Sequence, residues 1–478
     1  MIARLAAVVL VCAALRATDA RPGYYHARLI TPVASYSKAG TQLEARILGP
    51  VRSNRTDSIP RGAIIHGKVR SAQSIGLGFK RERASLELEF ERCELPGGVD
   101  LPCEASLVQV DNARENTNKT GMIRGILAAS HPYSWLNGIW YRPLPALFEK
   151  SPMGLIGAGG MLHAKMASNP IAAVGIVGSR LLLYRLPEPE IELPSGTDLV
   201  LRIEADTAGV TPDQQGENPD SFDQALLDEL RAQPAETAMA DRTAADDIVN
   251  MAFLGTKECL IRAFKAAGWT AAEPLNARTF SRTYKAVISM HTYVSAPVSA
   301  LYYEDRLPEL VFQKSFNTLA KRHHIRLWPV EIAGRTVWLG AATHDVAITF
   351  DWGRMNVTHR IDRHIDRERS KVLNDLMEPH GVSAWALVAR QDRALHTSDK
   401  GPVVTDGSLA VVAIQPCDTV EVAQQPLKKP RRARPLLMAR RVVLETRYYI
   451  TRGNVYYWAY RGIRWGFTPK YRARMDDE

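Results

Sequence analysis

The chain has 478 residues carrying 61 Lys and Arg against 51 Asp and Glu, a formal net charge of +10, and this length implies two or three domains. From Gln424 onward there are 14 Lys and Arg against 4 Asp and Glu, a net of 14 − 4 = +10, so the preceding residues are neutral and a basic surface running along the whole chain is excluded. The five cysteines include no Cys-x-x-Cys pair, which excludes a thiolate zinc site.

Arg4 precedes an apolar run from Leu5 to Leu15 that ends in small residues near Ala20. The pattern predicts a secretory signal over residues 1–20, cleaved after Ala20 and too short for a comfortable membrane span, which places the mature chain in the periplasm or cell envelope. Val11 is too bulky for Cys12 to be a lipoprotein cysteine. Residues 21–206 read as a β-rich module, with alternating apolar positions in the runs 43–47, 64–69 and 84–90. Cys93 and Cys103 flank Pro96-Gly97-Gly98, a strong turn signal. An exported hairpin with that spacing predicts a Cys93–Cys103 disulfide; two half-buried thiols are the alternative. Pro-x-Gly turns launch strands at Ile59-Pro60-Arg61-Gly62 and Leu193-Pro194-Ser195-Gly196, and Leu95-Pro96-Gly97-Gly98 follows a strand. With these features the module resembles the small β-barrel of TrbI-type conjugation and envelope proteins, which implies binding or scaffolding. An apolar Gly-rich insert at 122–184 lacks the Gly-Lys-Ser/Thr ending of a phosphate loop, and its apolar runs are short for a span. A hairpin touching a membrane or partner and simple buried packing both fit it.

Residues 207–247 are rich in Asp, Glu, Pro and Gln and read as an acidic linker with a helix from Ser221 to Ala232. Residues 248–416 read as a mixed α+β domain. It opens with a strand at 250–254, then a helix capped by Thr256, striped by Leu260, Ile261 and Phe264 and ended by Gly268. Two apolar strands at 322–328 and 337–345 flank Ala333-Gly334, a tight-turn signal. A turn there pairs Trp328 with Leu339, Arg326 with Ala341, His324 with Thr343, and Arg322 with Asp345. Period-two alternation then gathers Arg322, His324, Arg326, Thr343 and Asp345 on one polar face and puts His323, Ile325, Leu327, Ala342 and His344 on the more apolar one. A helix from Asp366 to Met377 with Val372, Leu373 and Leu376 buried follows Thr358-His359, and strands at 384–388 and 409–414 complete the domain.

Three readings of the polar face stand side by side. Arg322, His324 and Arg326, with Asp345 and His359 close by, form an anion-binding face for a phosphate or carboxylate. Alternatively His324, His359, Asp345 and Asp366 hold a divalent metal that activates water. In the third reading these are structural ion pairs. Gly268-Trp269, Arg322-His323-His324-Ile325-Arg326-Leu327-Trp328, Trp338-Leu339-Gly340-Ala341-Ala342, Thr358-His359, Asp366-Arg367-Glu368-Arg369 and Thr405-Asp406-Gly407 together resemble the LssY C-terminal domain over residues 245–416. That resemblance implies an envelope or membrane association and no established activity.

The tail, residues 424–478, interleaves its cations with aromatic residues, and Arg452-Gly453-Asn454 suggests a hairpin displaying them. Arg440, Arg441, Tyr448, Tyr457, Trp458, Arg461 and Trp465 are its candidate partner-binding residues. Such a tail suits nucleic acid in principle, but an exported chain is expected to meet anionic lipid headgroups or other envelope components instead. The expected fold is therefore α+β: a small β-barrel-like module, a mixed α+β domain and a basic aromatic hairpin tail. The expected function is binding or scaffolding in the cell envelope, with a metal-dependent hydrolase acting on a phosphoester or envelope lipid as the alternative.

Overall fold

In the computed structural model the residues described are 22–51, 59–76, 81, 83–126, 189–205, 217–239, 245–273, 295, 301–318, 321–351, 356–390, 397–398, 401–420, 428, 430, 439–440 and 442–444. The expected signal segment, most of the 122–184 insert and most of the tail lie outside them. Alternating sequence in the first part produces six antiparallel strands: β1 (Gly23–Leu29), β2 (Gln42–Pro50), β3 (Ile64–Gln73), β4 (Ser85–Leu95), β5 (Val99–Val110) and β6 (Asp198–Ala205). Their order is β3-β2-β1-β6-β5-β4, and β4 pairs again with β3, closing a barrel. Closure removes the exposed sheet edges. Inward residues such as Ala27, Leu43, Ala45, Ile65, Leu86, Phe90, Leu199 and Leu201 fill it. The β4–β5 hairpin turns at Gly97 and Gly98, both at positive φ, and Cys93 is disulfide-bonded to Cys103.

The second part starts earlier than the composition suggests. The acidic stretch expected to be a linker supplies α1 (Gln224–Ala232), β7 (Glu236–Met239) and β8 (Ala245–Ile248). Leu226, Leu227 and Leu230 on α1 are buried in a core cluster with Trp328 and Leu339. These apolar residues, spaced three and four apart, outweigh the surrounding charge. There follow β9 (Met251–Leu254), α2 (Lys257–Ala266), β10 (Leu310–Lys314), β11 (Arg322–Ile332), β12 (Arg335–Asp351), β13 (Asn356–Ile361), α3 (Ile365–Met377), β14 (Val382–Ala389) and β15 (Ser408–Ile414). The sheet runs β10-β11-β12-β9-β15-β14, with β13 also on β12 and the β9–β15 pair parallel.

Thr256 caps α2 through its hydroxyl, accepting from the Cys259 amide. The buried stripe of α2 is Leu260, Ala263 and Phe264; Ile261 faces outward at 38% exposure, a correction to the expected stripe that follows from 3.6-residue spacing around Leu260 and Phe264. A second disulfide, Cys259–Cys417, ties α2 to the end of the domain; the sequence pattern did not single out this pair. Helices α2 and α3 cover one sheet face, with Phe253, Phe264, Ile325, Leu327, Val372, Leu373 and Leu376 between them. Helix α1 covers the other. No helix of the described residues is long and apolar enough to cross a membrane.

Candidate functional site

The β11–β12 hairpin turns at Ala333 (φ 50°) and Gly334 (φ 70°), as a two-residue turn with both residues left-handed requires. Its register is Arg322↔Asp345, His324↔Thr343, Arg326↔Ala341 and Trp328↔Leu339, the pairing implied by that turn. The expected polar face forms. Asp345 Oδ2 lies 3.0 Å from Arg322 Nε, 3.7 Å from His324 Nδ1 and 3.3 Å from His359 Nδ1. His359 reaches this point on β13, a strand laid along β12, rather than on a returning loop. Burial alone would raise the Asp345 pKa, but His359 and the Arg322 guanidinium that donates to it outweigh burial and hold the carboxyl below the usual range. Burial keeps His324 neutral, and its Nε2 shares a 2.6 Å hydrogen bond with the Thr343 hydroxyl.

Arg326 belongs to a different pair: its guanidinium donates to Asp247 Oδ2 at 2.6 Å. Arg322 additionally donates to Gln313 Oε1 at 3.2 Å. Both cations thus meet carboxylates inside the protein, and the face is internally neutralised instead of presenting an excess of positive charge to an anion. The expected metal set is also divided. Asp366 accepts from the Thr405 hydroxyl at 2.8 Å and the Asp406 amide at 2.7 Å, and lies 3.3 Å from Arg369. Its carboxylate serves the start of α3, while His324, His359 and Asp345 meet on the hairpin.

The face expected to be more apolar carries the denser chemistry. His323 Nδ1 lies 2.6 Å from Glu368 Oε2 on α3, and His323 Nε2 lies 2.9 Å from Asp111 Oδ2 of the barrel. Burial would lower the His323 pKa, yet the two carboxylates raise it to about 10, so the ring is an imidazolium shared between them. Asp111 is held ionised, well below the carboxylate range, against its own burial, whereas burial pushes Glu368 up. His344 stacks beside His323 with ring centroids 4.2 Å apart, and burial followed by the neighbouring His323 charge lowers its pKa to about 4.

Next to this group the barrel and the second domain are joined by charge. Arg28 on β1 donates to Asp198 at 2.8 Å and to Asp375 on α3 at 3.0 Å, and lies 3.2 Å from Glu378. Lys371 donates to Asp198 and Asp375, both at 2.8 Å, and Lys314 lies 2.9 Å from the same two carboxylates. Three cations face three carboxylates. Asp198 and Asp375 sit below the usual range because these cations outweigh burial. Asn374 completes the joint, donating to the Pro50 carbonyl at 2.9 Å and accepting from Arg61 at 2.6 Å.

Sequence reasoning missed Asp111, Glu368, Lys371 and Asp375 as members of one group. The signal available was α3 itself: Glu368, Lys371 and Asp375 repeat at three- and four-residue spacing in a polar stripe beside the apolar one of Val372, Leu373 and Leu376, and both stripes are buried. Nothing local could have pointed to Asp111, 212 residues from His323. In the tail, Arg440 is not a free surface cation, because it pairs with the buried Glu190. Arg441, Tyr448, Tyr457, Trp458, Arg461 and Trp465 lie outside the described residues.

Comparison with curated proteins found no match. The sequence model of the family described as LssY C-terminus matches residues 230–409. That span begins on α1 and ends on β15, covering the whole hairpin and α3, and so takes in β7 and β8 from the stretch expected to be linker. Residues 230–409 of this chain are an LssY C-terminal domain, here joined by buried ion pairs to a six-stranded barrel.

Proposed function

We propose that the chain is an exported binding or scaffolding protein of the cell envelope, in which the barrel and the LssY domain act as one platform and the basic aromatic tail engages an anionic membrane surface. The observation that carries this reading is the buried joint of Arg28, Lys314 and Lys371 with Asp198, Asp375 and Glu378, which fixes the two parts together. The beginning of the tail is tied to the same platform. The Lys428 amide donates to Ser195 Oγ at 2.9 Å, Arg440 pairs with Glu190, and Leu444 is buried in the barrel core. Two disulfides use all four cysteines beyond Cys12, which supports an oxidising compartment. The closed barrel supports the likeness to TrbI-type envelope proteins. Cations interleaved with Tyr and Trp suit the headgroup region, where aromatic rings sit and phosphates attract Lys and Arg.

Flotation of the full chain with vesicles tests it. Vesicles containing phosphatidylglycerol should carry the protein at low ionic strength and release it as salt is raised, and phosphatidylcholine vesicles should not. Arg461→Glu together with Arg464→Glu should weaken flotation at least 5-fold. Absence of binding to the anionic vesicles at low salt would reject the membrane reading.

A further inference from the structure

We propose that Asp111, His323 and His344 form a divalent metal site, suited to zinc or a similar first-row transition ion, that pins the LssY domain onto the barrel. One ligand atom from each of these residues lies within 4.8 Å of the others. Tetrahedral bonds of about 2.05 Å place ligand atoms about 3.3 Å apart. The Asp111–His323 pair, at 2.9 Å, is already near that spacing, and the group closes around an ion with a small shift of the partly buried His344 ring. Two imidazoles and a carboxylate make a donor set that zinc accepts.

Three independent features favour an ion there. First, Glu368 Oε2 holds His323 Nδ1 at 2.6 Å, the carboxylate support that fixes a metal-binding imidazole with its other nitrogen toward the ion. Second, polar atoms around the group are buried without a partner: His344 Nε2, Glu368 Oε1 and both ring nitrogens of His26, a barrel residue 5% exposed and close enough to feel the charges of Asp111 and His323. Unpartnered buried polar atoms are costly and call for a ligand. Third, Asp111 and Glu368 share one cation of their own, His323; the only other cation of the joint that reaches Asp111, Lys371 at 3.9 Å, is bonded at 2.8 Å to both Asp198 and Asp375. Binding breaks the N–H bond at His323 Nε2 and releases that proton to solvent. The divalent ion takes its place, and the group becomes neutral.

The site differs from the His324–Asp345–His359 group on the opposite face, and it does not depend on membrane binding. The test uses the full chain, stripped with EDTA and reloaded with Zn2+, with metal counted by mass spectrometry and affinity measured by calorimetry. One zinc per chain is expected, and Co2+ in its place should give the visible absorption of a tetrahedral nitrogen–oxygen site. His344→Ala removes a ring that makes no side-chain hydrogen bond through Nε2, so the variant should fold while losing at least 10-fold in zinc affinity and the cobalt band. Asp111→Asn should do the same, and His359→Ala should bind as wild type. No retained zinc in the reloaded wild type, unchanged affinity in His344→Ala, or loss of binding in His359→Ala alone would each overturn the proposal.

Discussion

Arg326 is 1% exposed beneath the sheet, and Asp247 answers its charge at 2.6 Å. Taking two charges from water is expensive, and stripping one partner leaves the other charge buried; such breaks cost about 3–5 kcal/mol. Asp247→Ala should therefore lower stability by about that amount, read from the urea midpoint, and adding Arg326→Met should restore part of the loss. Acid should act through the carboxylates at the joint. Asp198 and Asp375 have folded pKa values below their ordinary 3.8, so the unfolded chain takes up protons first as pH falls. Their contribution is present above about pH 4 and is lost below it. Melting temperature, followed by circular dichroism, should decline gently below about pH 6.5, where His324 and His344 stay neutral in the fold but take up protons in the unfolded chain, and should fall steeply under pH 4. A flat profile down to pH 2 would show that these carboxylates are not held ionised by the joint.

At the scale of elements, the hairpin carries a local conflict. Ala333 occupies a left-handed conformation, which costs an L-residue about 1–2 kcal/mol. Glycine would relieve that strain against an entropic cost of about 0.5–1 kcal/mol, so Ala333→Gly should gain about 0.5–1 kcal/mol in a denaturant titration. Removing the cap of α2 should act the other way: Thr256→Ala loses the acceptor for the Cys259 amide and should cost about 1 kcal/mol. Helix α3 is the element on which the two parts converge. Val372, Leu373 and Leu376 meet the sheet, while Lys371, Asn374 and Asp375 meet the barrel, so its interior residues have no solvent-facing side.

For the whole molecule, that double burial predicts coupled unfolding. Wild type should melt in a single transition by calorimetry, and Asp375→Ala, which removes the acceptor shared by Arg28, Lys314, Lys371 and Trp269, should split it into two. A single transition retained in the variant would mean that the joint does not couple the parts. The Cys259–Cys417 bridge encloses a segment of 158 residues, and by chain entropy such a loop contributes about 5 kcal/mol. Replacing Cys259 and Cys417 together by Ser should lower the single denaturant midpoint more than replacing Cys93 and Cys103, whose bridge spans 10 residues.

Legibility in the sequence followed the range of the interactions. The hairpin register, the Arg322–Asp345 pair, the Cys93–Cys103 bridge, the cap of α2 and the buried stripe of α3 could be read directly, because each depends on residues close in sequence or fixed by one turn. The barrel itself was expected, but its strand order, the Cys259–Cys417 bridge and the inclusion of α1 in the LssY domain could not be read, because they depend on which surfaces meet. The same limit governed the site. Alternation assigned His323 and His344 to one face correctly, but that face looked apolar while its neighbours in sequence were the only residues in view. Folding brings Asp111 from the barrel and Glu368 from α3 to His323, and only that convergence turns a half-apolar strand face into a buried group of two carboxylates and two imidazoles. Burial at such a junction amplifies every charge placed there, so the chemistry of this protein was decided by tertiary contact between segments that carry no mark of each other.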